Sequence, residues 1–460
     1  MTATEAPPET PETADHPPTR HIRILLLSNA VEHLAYRFTQ IALPLVVLRE
    51  FDSAAVAGLV GGLAGLPVVT SPWWARRLRQ RLVDGRALAF VSLWQAGAVL
   101  VVPVALTVGV LHPAMLALAG LAVGVSDALA SPARTALLGD LGDRLGGGAA
   151  IRVVTWDDAL RRGAMVVGPA LAGLGVQLGW THALLWVEGL ALLVSAMLVR
   201  GVVPPVAVVP GVPVAVVAGA PLASGPAAAA ADAPSAGAAP ATAPAPGILA
   251  SVRDHPDVLR GWVMRGTSCL LWFAFALGLA VEGERTGRAG ALYATALTAY
   301  GLGSLVMTLG MARRPPSAQP LRLATVAWVG QGLAFAAMAL WTTPATVAAC
   351  AAAAGAVTVV GIRALMQVLL TRTHGPARRA ALAGQSILVD VTVSVGMVVG
   401  GLVIDQVGPR PTLAVTGLVT AAVALVTGLT AGEAPATSGI PTAVAGRRGR
   451  TLLGRSPSGH

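Results

Sequence analysis

The chain contains no lysine and few charged residues of any kind. Charged residues make up 12% of its 460 residues, hydrophobic residues make up 55%, and the mean hydropathy is +0.70. A soluble protein of this length needs a larger polar surface, so this composition excludes one. About 20 mostly apolar residues suffice to cross a bilayer, and such segments recur from Ile22 to Thr430. The sequence therefore predicts a membrane protein with many spans.

Cysteines and common cofactor motifs are also scarce. The two cysteines, Cys269 and Cys350, lie in apolar segments, which excludes a disulfide framework or a zinc site built on cysteine pairs. The motifs GxxxxGK[ST], HExxH and CxxC do not occur in the sequence. We therefore expect no metal, no cofactor, no enzymatic activity and no ATP-driven transport by this chain alone.

Twelve apolar segments are separated by short polar loops, with six segments on each side of a long central gap. We expect an all-α membrane protein with one six-helix bundle over residues 22–203 and another over residues 248–430. The predicted spans are residues 22–48, 53–74, 87–110, 113–138, 151–178 and 181–203, followed by 259–281, 289–311, 321–342, 344–370, 380–404 and 411–430.

Three segments lie outside the predicted bundles. Residues 204–247 repeat proline, which removes backbone donors that lipid cannot replace. A disordered or polyproline-like cytoplasmic linker is the preferred interpretation, with an additional span as the alternative. Residues 1–21 are polar and proline-rich, without the apolar stretch of a secretory signal. They predict a disordered cytoplasmic tail, and residues 431–460 predict a basic one.

The positions of the arginines predict the orientation of the chain. All 32 basic residues are arginine, and they concentrate after spans 2, 4, 6, 8 and 10 and in the two tails. The opposite loops hold only Arg49, Arg285, Arg288 and Arg410. Because basic loops stay on the cytoplasmic side, we expect a multi-pass protein of the plasma (inner) membrane with both termini in the cytoplasm. This bias also explains the net charge of +10, so we expect no nucleic-acid partner.

The two halves carry similar sequences in the same order. Asp158–Gly168 (DALRRGAMVVG) aligns without a gap with Asp390–Gly400 (DVTVSVGMVVG). The same repeat places Asp127 of the fourth span opposite Arg363 of the tenth. We therefore expect two pseudo-symmetric bundles, with a binding site between them near the middle of the membrane.

The first span carries a polar stripe that a lipid-facing helix would not tolerate. This stripe therefore faces a cavity or other helices. In one interpretation it contacts a substrate, and Glu32 or His33 takes a proton. In the other, Glu32 and Arg37 neutralise partners in neighbouring helices. The stripe consists of Asn29, Glu32, His33, Tyr36, Arg37 and Gln40.

Span 4 contains Asp127, a second candidate for proton coupling. Asp127 is a candidate proton or cation site. Alternatively, it forms an ion pair with Arg363 across the cavity, as a gate or a structural tie.

Spans 5 and 11 supply two further acidic candidates. The spacing in span 5 predicts the ion pairs Asp157–Arg161 and Asp158–Arg162, which lower the cost of burying four charges. Asp158 nevertheless remains a coupling candidate. Its repeat mate Asp390 has no arginine four residues later, so Asp390 is the less compensated acid.

Four segments, taken in their order along the chain, resemble those of a known family. The similarity as a whole spans Ile22–Thr430. The four segments are Ala42–Pro67, Ser131–Leu141 (SPARTALLGDL), Gly168–Gly173 (GPALAG) and Ala250–Trp262 (ASVRDHPDVLRGW). Together they resemble the major facilitator superfamily, and within it the drug and siderophore exporter branch that includes macrolide-efflux and enterobactin-exporter proteins.

The resemblance implies the twelve-helix major facilitator fold and a proton-coupled exporter of small amphipathic compounds, of drug, macrolide or siderophore type. It also implies a monomer surrounded by membrane lipid. Gly168, Pro169 and Gly173 would form the conformational motif of an antiporter, with simple helix packing as the alternative.

The loop after span 2 departs from the family, because Arg77 and Arg81 stand where the family has Gly and Asp. Solute uptake by symport or facilitated diffusion, or a non-transporting receptor or scaffold, are alternatives.

Overall fold

The computed structural model describes residues 17–79, 81–82, 84–145, 149–202, 253, 255–288, 290–312 and 314–430. In this part of the chain, twelve long helices correspond one by one to the predicted spans. The predicted linker, residues 204–247, and the predicted tail, residues 431–460, lie outside the described residues.

The helices of the first half are connected by short turns. They are α1 Pro17–Phe51, α2 Ala54–Arg79, α3 Gly85–Val108, α4 Pro113–Arg144, α5 Ala149–Gln177 and α6 Thr181–Arg200.

The second half repeats this arrangement. Helix α7, Pro256–Arg285, contains a π-helical turn at Ala274–Gly278. The remaining helices are α8 Ala291–Ala312, α9 Pro320–Leu340, α10 Pro344–Arg372, α11 Gly375–Val407 and α12 Pro409–Leu429.

Helix α1 begins at Pro17, inside the segment that the sequence assigns to a disordered tail. Proline suits the first helical turn, because its fixed φ matches the helix and the amide hydrogen it lacks would have no partner there. The prediction of a disordered tail is therefore wrong for residues 17–21. The remaining residues of that predicted tail, 1–16, lie outside the described part.

Ten helices of the described chain are long and apolar enough to cross a membrane. The two long helices outside this set are α1 and α5. Helix α1 contains the polar stripe, and α5 contains the sequence DDALRR at residues 157–162. Charged side chains in a membrane need partners on neighbouring helices, so α1 and α5 depend on the rest of the bundle.

The two bundles use the same set of helix contacts. In the first bundle, α1 packs on α5 and α6, α2 packs on α4, and α3 packs on α4 and α6. In the second, α7 packs on α11 and α12, α8 packs on α10, and α9 packs on α10 and α12. Each contact of the first bundle thus recurs six helices later, so the bundles are pseudo-symmetric.

The helix pairs α2–α11 and α5–α8 form most of the contact between the bundles, and α1 and α2 also touch α7. Glycines bring α2 and α11 close together. A Cβ atom on Gly58 would lie 2.2 Å from the main-chain oxygen of Met397, and one on Gly401 would lie 2.3 Å from that of Ala54. Because a side chain would clash with the backbone here, α2 and α11 require glycine at these positions.

The loops define two faces of the molecule. We call the face with the α2–α3, α4–α5, α8–α9 and α10–α11 connections the arginine-rich face. The face with the α1–α2, α3–α4, α5–α6, α7–α8, α9–α10 and α11–α12 connections is the arginine-poor face.

Candidate functional site

A single hydrophobic core joins the bundles near the arginine-poor face. It contains Leu45 and Val176 of the first bundle together with Phe275 and Leu292 of the second. Near the arginine-rich face the buried apolar residues form separate clusters. Leu25 and Leu138 belong to a cluster of the first bundle alone, and the second bundle has clusters of its own.

Two polar contacts also join the bundles at the arginine-poor face. The carboxylate of Asp405, at the end of α11, accepts hydrogen bonds from Ser53 Oγ at 2.7 Å and from the amide nitrogens of Ala54 and Ala55 at 2.7 and 3.0 Å. A carboxylate at the N-terminus of a helix satisfies free amides and complements the helix dipole. Arg49 Nε also donates to Glu284 at 3.0 Å. We call the first contact the Asp405 cap.

The bundles are therefore joined at the arginine-poor face and separate toward the arginine-rich face. The shared core and the polar contacts between the bundles lie toward the arginine-poor face, and the glycine contacts continue to the middle of α2 and α8.

Arg134 is the centre of a polar network in the first bundle. Because α4 continues to Arg144, Arg134 lies well inside the helix, and its side chain is only 7% exposed. Its guanidinium donates to both carboxylate oxygens of Glu32 on α1. It also donates to Asn29 Oδ1 at 3.0 Å and to Ser92 Oγ of α3 at 2.7 Å. A buried guanidinium needs this many acceptors to offset its lost hydration.

The network extends from Glu32 and Asn29 to two further helices. Ser195 of α6 donates its hydroxyl hydrogen to Glu32, and it also forms a hydrogen bond of 2.5 Å with Ser28. Asn29 Nδ2 donates to Asp157 Oδ1 of α5 at 2.7 Å. The structure thus brings polar groups from five helices of one bundle together around the ion pair Glu32–Arg134.

His33 lies beside this network without completing it. Asp157, Arg161 and Glu32 surround its imidazole closely enough to interact with it electrostatically. Its Nε2 atom is buried and has no hydrogen-bond partner among the described residues. His33 therefore stays a predicted substrate contact.

The remaining residues of the α1 stripe lie toward the second bundle. Arg37 donates to Gln40 Oε1 at 2.7 Å, and its guanidinium carbon lies 5.3 Å from the centre of the Tyr36 ring. Tyr36 is 46% exposed although it lies in the middle of α1. Arg37 and Tyr36 both interact electrostatically with Tyr293 of α8. This part of the stripe therefore faces α8 of the second bundle.

Asp127 is exposed although its neighbours Ser126 and Ala128 are buried. Gln95 Nε2 of α3 donates to its carboxylate at 3.2 Å. Glu32 and Arg134 lie close enough to interact with it electrostatically. Asp127 is therefore an exposed carboxylate beside the buried network.

The predicted ion pair between Asp127 and Arg363 is wrong. The guanidinium of Arg363 instead donates to the main-chain oxygens of Met311 and Arg314, the latter at 2.6 Å. Pseudo-symmetry places the two residues at equivalent positions of α4 and α10, but equivalence does not bring them into contact. The end of α8 offers carbonyl oxygens much closer to Arg363.

One of the two ion pairs that the spacing in α5 predicts, Asp158–Arg162, is confirmed. Asp158 accepts from both arginines, from Arg161 Nη2 at 2.5 Å and from Arg162 Nε at 2.8 Å. The predicted pair Asp157–Arg161 is wrong, because Asp157 turns toward Asn29 of α1. One carboxylate has two oxygens, so a single aspartate can serve two cations one turn away.

Asp390 of α11 has no ion-pair partner in the described part of the chain, as its sequence surroundings predicted. Its side chain is half-buried near Cys269 of α7. The nearest hydrogen bond, from Ser394 Oγ at 2.7 Å, goes to the main-chain oxygen of Asp390 and leaves the carboxylate free.

Gly168, Pro169 and Gly173 are all buried and hold α5 against two other helices. A Cβ atom on Gly168 would lie 2.4 Å from Cβ of Arg37 on α1. One on Gly173 would lie 2.5 Å from Cβ of Ala294 on α8, in the other bundle. These contacts support both the packing interpretation and a conformational role, since α5–α8 is one of the two pairs that form most of the contact between the bundles.

The second bundle contributes a cluster of aromatic rings to the core near the arginine-poor face. Trp272 of α7 lies 4.7 Å from Phe275 and 5.1 Å from Tyr300 of α8, measured between ring centres. Phe335 of α9 stacks on Phe275 at 5.2 Å. Ring pairs at these distances add to the energy of apolar burial.

Sequence reasoning missed Arg134, Gln95, Ser195 and Asp405. Arg134 lies within the predicted fourth span, residues 113–138, but at the end that adjoins a basic loop, where an arginine is expected to face the cytoplasm. A signal existed, since Ala130, Ala133 and Leu137 give its surroundings a buried helical period. Among the described residues, no group of His, Cys, Asp and Glu side chains could hold a metal ion.

No protein-family model and no curated protein matches the chain. Solved structures do match it. The nucleoside transporter NupG has a TM-score of 0.62 and 12% identity, over 88% of this chain and 98% of that one. A bacterial homologue of the human lysosomal transporter Spinster has a TM-score of 0.58 and 12% identity, over 91% and 98%.

The human organic anion transporter MFSD10 (TETRAN) has a TM-score of 0.50 and 14% identity, over 90% of this chain and 99% of that one. At such identities the likeness concerns the fold alone. Together with the apolar helices, it identifies an integral multi-pass membrane protein. The chain has the major facilitator fold, with twelve transmembrane helices in two pseudo-symmetric six-helix bundles.

Proposed function

We propose that the protein is a secondary active transporter that exports small amphipathic compounds, coupled to protons that move inward. The observation that carries this proposal is the ion pair Glu32–Arg134, placed beside the exposed Asp127 in a molecule that is closed at one face. A carboxylate that binds either a cationic side chain or a proton can couple proton binding to a change of conformation. Its position bordering a one-sided opening gives it access to one compartment at a time.

In alternating access, the closed contact between the two bundles moves from one face of the membrane to the other. The core and the Asp405 cap close the arginine-poor face, while the bundles separate at the other face. Both bundles are internally packed, so they can rock as rigid bodies around the α2–α11 and α5–α8 contacts. If the arginine-rich face lies in the cytoplasm, as basic loops predict, this is the inward-open state.

Glu32 is the proposed proton site. In the present state its charge neutralises Arg134. When Glu32 takes a proton the ion pair ends, and Arg134 loses its strongest partner while remaining buried. That energetic difference between two protonation states biases two conformations. A proton that moves down 100 mV supplies about 2.3 kcal/mol, enough to drive a solute several-fold against its gradient.

Asp127 is proposed as the group that exchanges protons between the open space and Glu32. It is exposed and bound only to an amide. Asp158 is the weaker candidate, because two arginines stabilise its charged form. Asp390 stays a candidate in the second bundle, where nothing neutralises it among the described residues.

The proposed substrate surface combines Asn29, His33, Tyr36, Arg37 and Gln40. The exposed ring of Tyr36 and the apolar walls of the bundles suit the apolar part of a drug, macrolide or siderophore. The polar stripe suits its polar part. We propose that one monomer, in contact with lipid and small-molecule substrate, carries out the whole cycle without a cofactor.

Flux measurements in proteoliposomes test this proposal. A panel of a macrolide, a catecholate siderophore, a nucleoside and an organic anion is loaded, and efflux is driven by an imposed pH gradient. We expect export of at least one compound by the wild type. Glu32→Gln should abolish pH-driven efflux but keep solute exchange, because glutamine cannot carry a proton.

Glu50→Gln is the matched control, since Glu50 lies exposed on the same helix. Coupling that survives Glu32→Gln would refute the role of Glu32. Absence of flux for every compound, with correctly folded protein, would refute transport of these classes. Net accumulation instead of efflux would favour the alternative of uptake by symport.

A further inference from the structure

A cavity of about 320 Å³ lies among α8, α9 and α10 at the arginine-rich face. It is separate from the polar network, which belongs to the first bundle. Apolar side chains form most of its wall: Met307, Met311, Leu323, Val360 and Ala364.

The remaining wall of the cavity is positively charged. Arg314 and Arg363 line it, and no acidic residue does. Both nitrogens that Arg363 uses for hydrogen bonds donate to main-chain oxygens, so its charge is not neutralised by a carboxylate in the described part of the chain. Arg314 is exposed at the edge. The cavity therefore has an apolar interior and an end with two positive charges.

The loop that closes the cavity is held in place. Gln367 Nε2 donates to the main-chain oxygen of Ser317 at 2.7 Å, and the amide of Ser317 donates to Gln367 Oε1 at 3.0 Å. Arg363 fixes the end of α8 in the same way. These bonds keep the cavity formed without a ligand, which reduces the entropy that the protein would lose when a ligand binds.

The surface around the cavity suits the bilayer. Helices α8 and α9 both pack on α10, so α10 forms the floor of a cleft between them. The apolar residues Val306 of α8 and Val326 of α9 lie close along their helices to the cavity-lining Met307 and Leu323, and they are 62% and 69% exposed. Helix α8 ends at Ala312, which places Arg314 at the depth of the lipid headgroups.

We propose that this cavity is a binding site for an anionic phospholipid, with one acyl chain among the methionines and the phosphate group at Arg314 and Arg363. Guanidinium groups bind phosphate with charge-assisted hydrogen bonds, and basic pockets at helix ends are typical sites for anionic lipids. The apolar interior selects a lipid over a free phosphate ion, which would leave it unfilled. The site does not depend on the transport activity proposed above.

Native mass spectrometry of the full chain tests the proposal. The protein is exchanged into detergent with equal amounts of phosphatidylglycerol and phosphatidylcholine that carry the same acyl chains. We expect the wild type to retain phosphatidylglycerol in preference. Arg314→Gln should weaken that retention roughly tenfold, the factor for losing one charge-assisted hydrogen bond.

Two further variants separate the effect of positive charge on lipid retention from the effect of the apolar cavity. Arg86→Gln removes an exposed arginine of the same face far from the cavity, at the start of α3, and should leave retention unchanged. Val360→Trp fills the apolar interior while keeping both arginines, and should lower phosphatidylglycerol retention. Thermal unfolding and size-exclusion profiles verify that each variant is folded.

Equal retention of the two lipids by the wild type would overturn the proposal. The same holds if Arg314→Gln and Arg86→Gln lose lipid equally, since the effect would then be one of net charge. Displacement of the lipid by millimolar inorganic phosphate would indicate a simple anion site instead. Unchanged retention in a folded Val360→Trp variant would contradict occupancy of the cavity by an acyl chain.

Discussion

The two bundles have the same helix contacts but bury different chemistry. The first bundle surrounds the ion pair Glu32–Arg134 with polar groups from five helices. The second bundle packs the rings of Trp272, Phe275, Tyr300 and Phe335 from α7, α8 and α9 in the core near the arginine-poor face. Its acid Asp390 has no ion-pair partner among the described residues.

This difference shows that the helix framework does not dictate which half carries charge. Packing of small and apolar residues stabilises both bundles in the same way. Both bundles contain ion pairs, but in different places: Glu32–Arg134 lies inside the first bundle, whereas Glu282–Arg410 joins α7 to the start of α12 at the arginine-poor face of the second. We infer that loss of the central charges affects the stability of the first bundle more than that of the second. The following variants test this division, from the largest expected effect to the smallest.

Arg134→Ala should cause the largest loss of stability. It leaves the Glu32 carboxylate without its cation in the interior of the first bundle. Removal of one partner of a buried ion pair costs roughly 3–5 kcal/mol. Thermal unfolding of the purified protein measures this loss. The double variant Arg134→Met with Glu32→Gln should recover much of it, because no uncompensated charge remains. An unaffected single variant would mean that the network is not structural.

Asp405→Ala should have an intermediate effect that involves both bundles. It removes the acceptor for Ser53 and for two amides of α2, and loss of a helix cap costs about 0.5–2 kcal/mol. We expect the arginine-poor face to open more often, measured as faster thiol labelling of a cysteine introduced at Ala55. Asp405→Asn keeps an acceptor, so its labelling rate should lie between those of the wild type and of Asp405→Ala. Identical labelling in all three proteins would exclude a role of the cap in closure.

Asp390→Asn should change stability least. Its carboxylate has no ion-pair partner to lose in the described structure, so the change should stay within about 0.5 kcal/mol. The same thermal unfolding experiment as for Arg134→Ala gives a direct comparison of the two bundles. A large loss would reveal that Asp390 has a structural partner and that the second bundle also depends on charge.

The sequence predicted the fold well because the bilayer imposes a simple rule on length and hydropathy. All twelve spans were found, including α1 and α5, whose charges take them outside the purely apolar set. Helix ends were predicted less well. The predicted fourth span stops at residue 138, whereas α4 continues to Arg144. Hydropathy shows where an apolar segment ends, but the helix can continue beyond the apolar part of the membrane.

The candidate site was only partly predictable. The α1 stripe identified Glu32 and Asn29, since polar residues on one helix face stand out in an apolar chain. Their partner Arg134 did not stand out, because arginines near a loop look alike whether they face water or protein. Contacts between helices far apart in sequence, such as Asn29 with Asp157, depend on helix rotations that periodicity does not determine.

The polar stripe of α1 has a consequence for biosynthesis. Helix α1 emerges from the ribosome before α4, because its principal partner Arg134 follows Glu32 by 102 residues. A charge at the centre of an isolated helix raises the insertion free energy by about 2.5–3.5 kcal/mol, so α1 is poorly suited to enter lipid alone. We expect the insertion machinery to retain α1 until α4 has been synthesised, with the two helices leaving it as a unit.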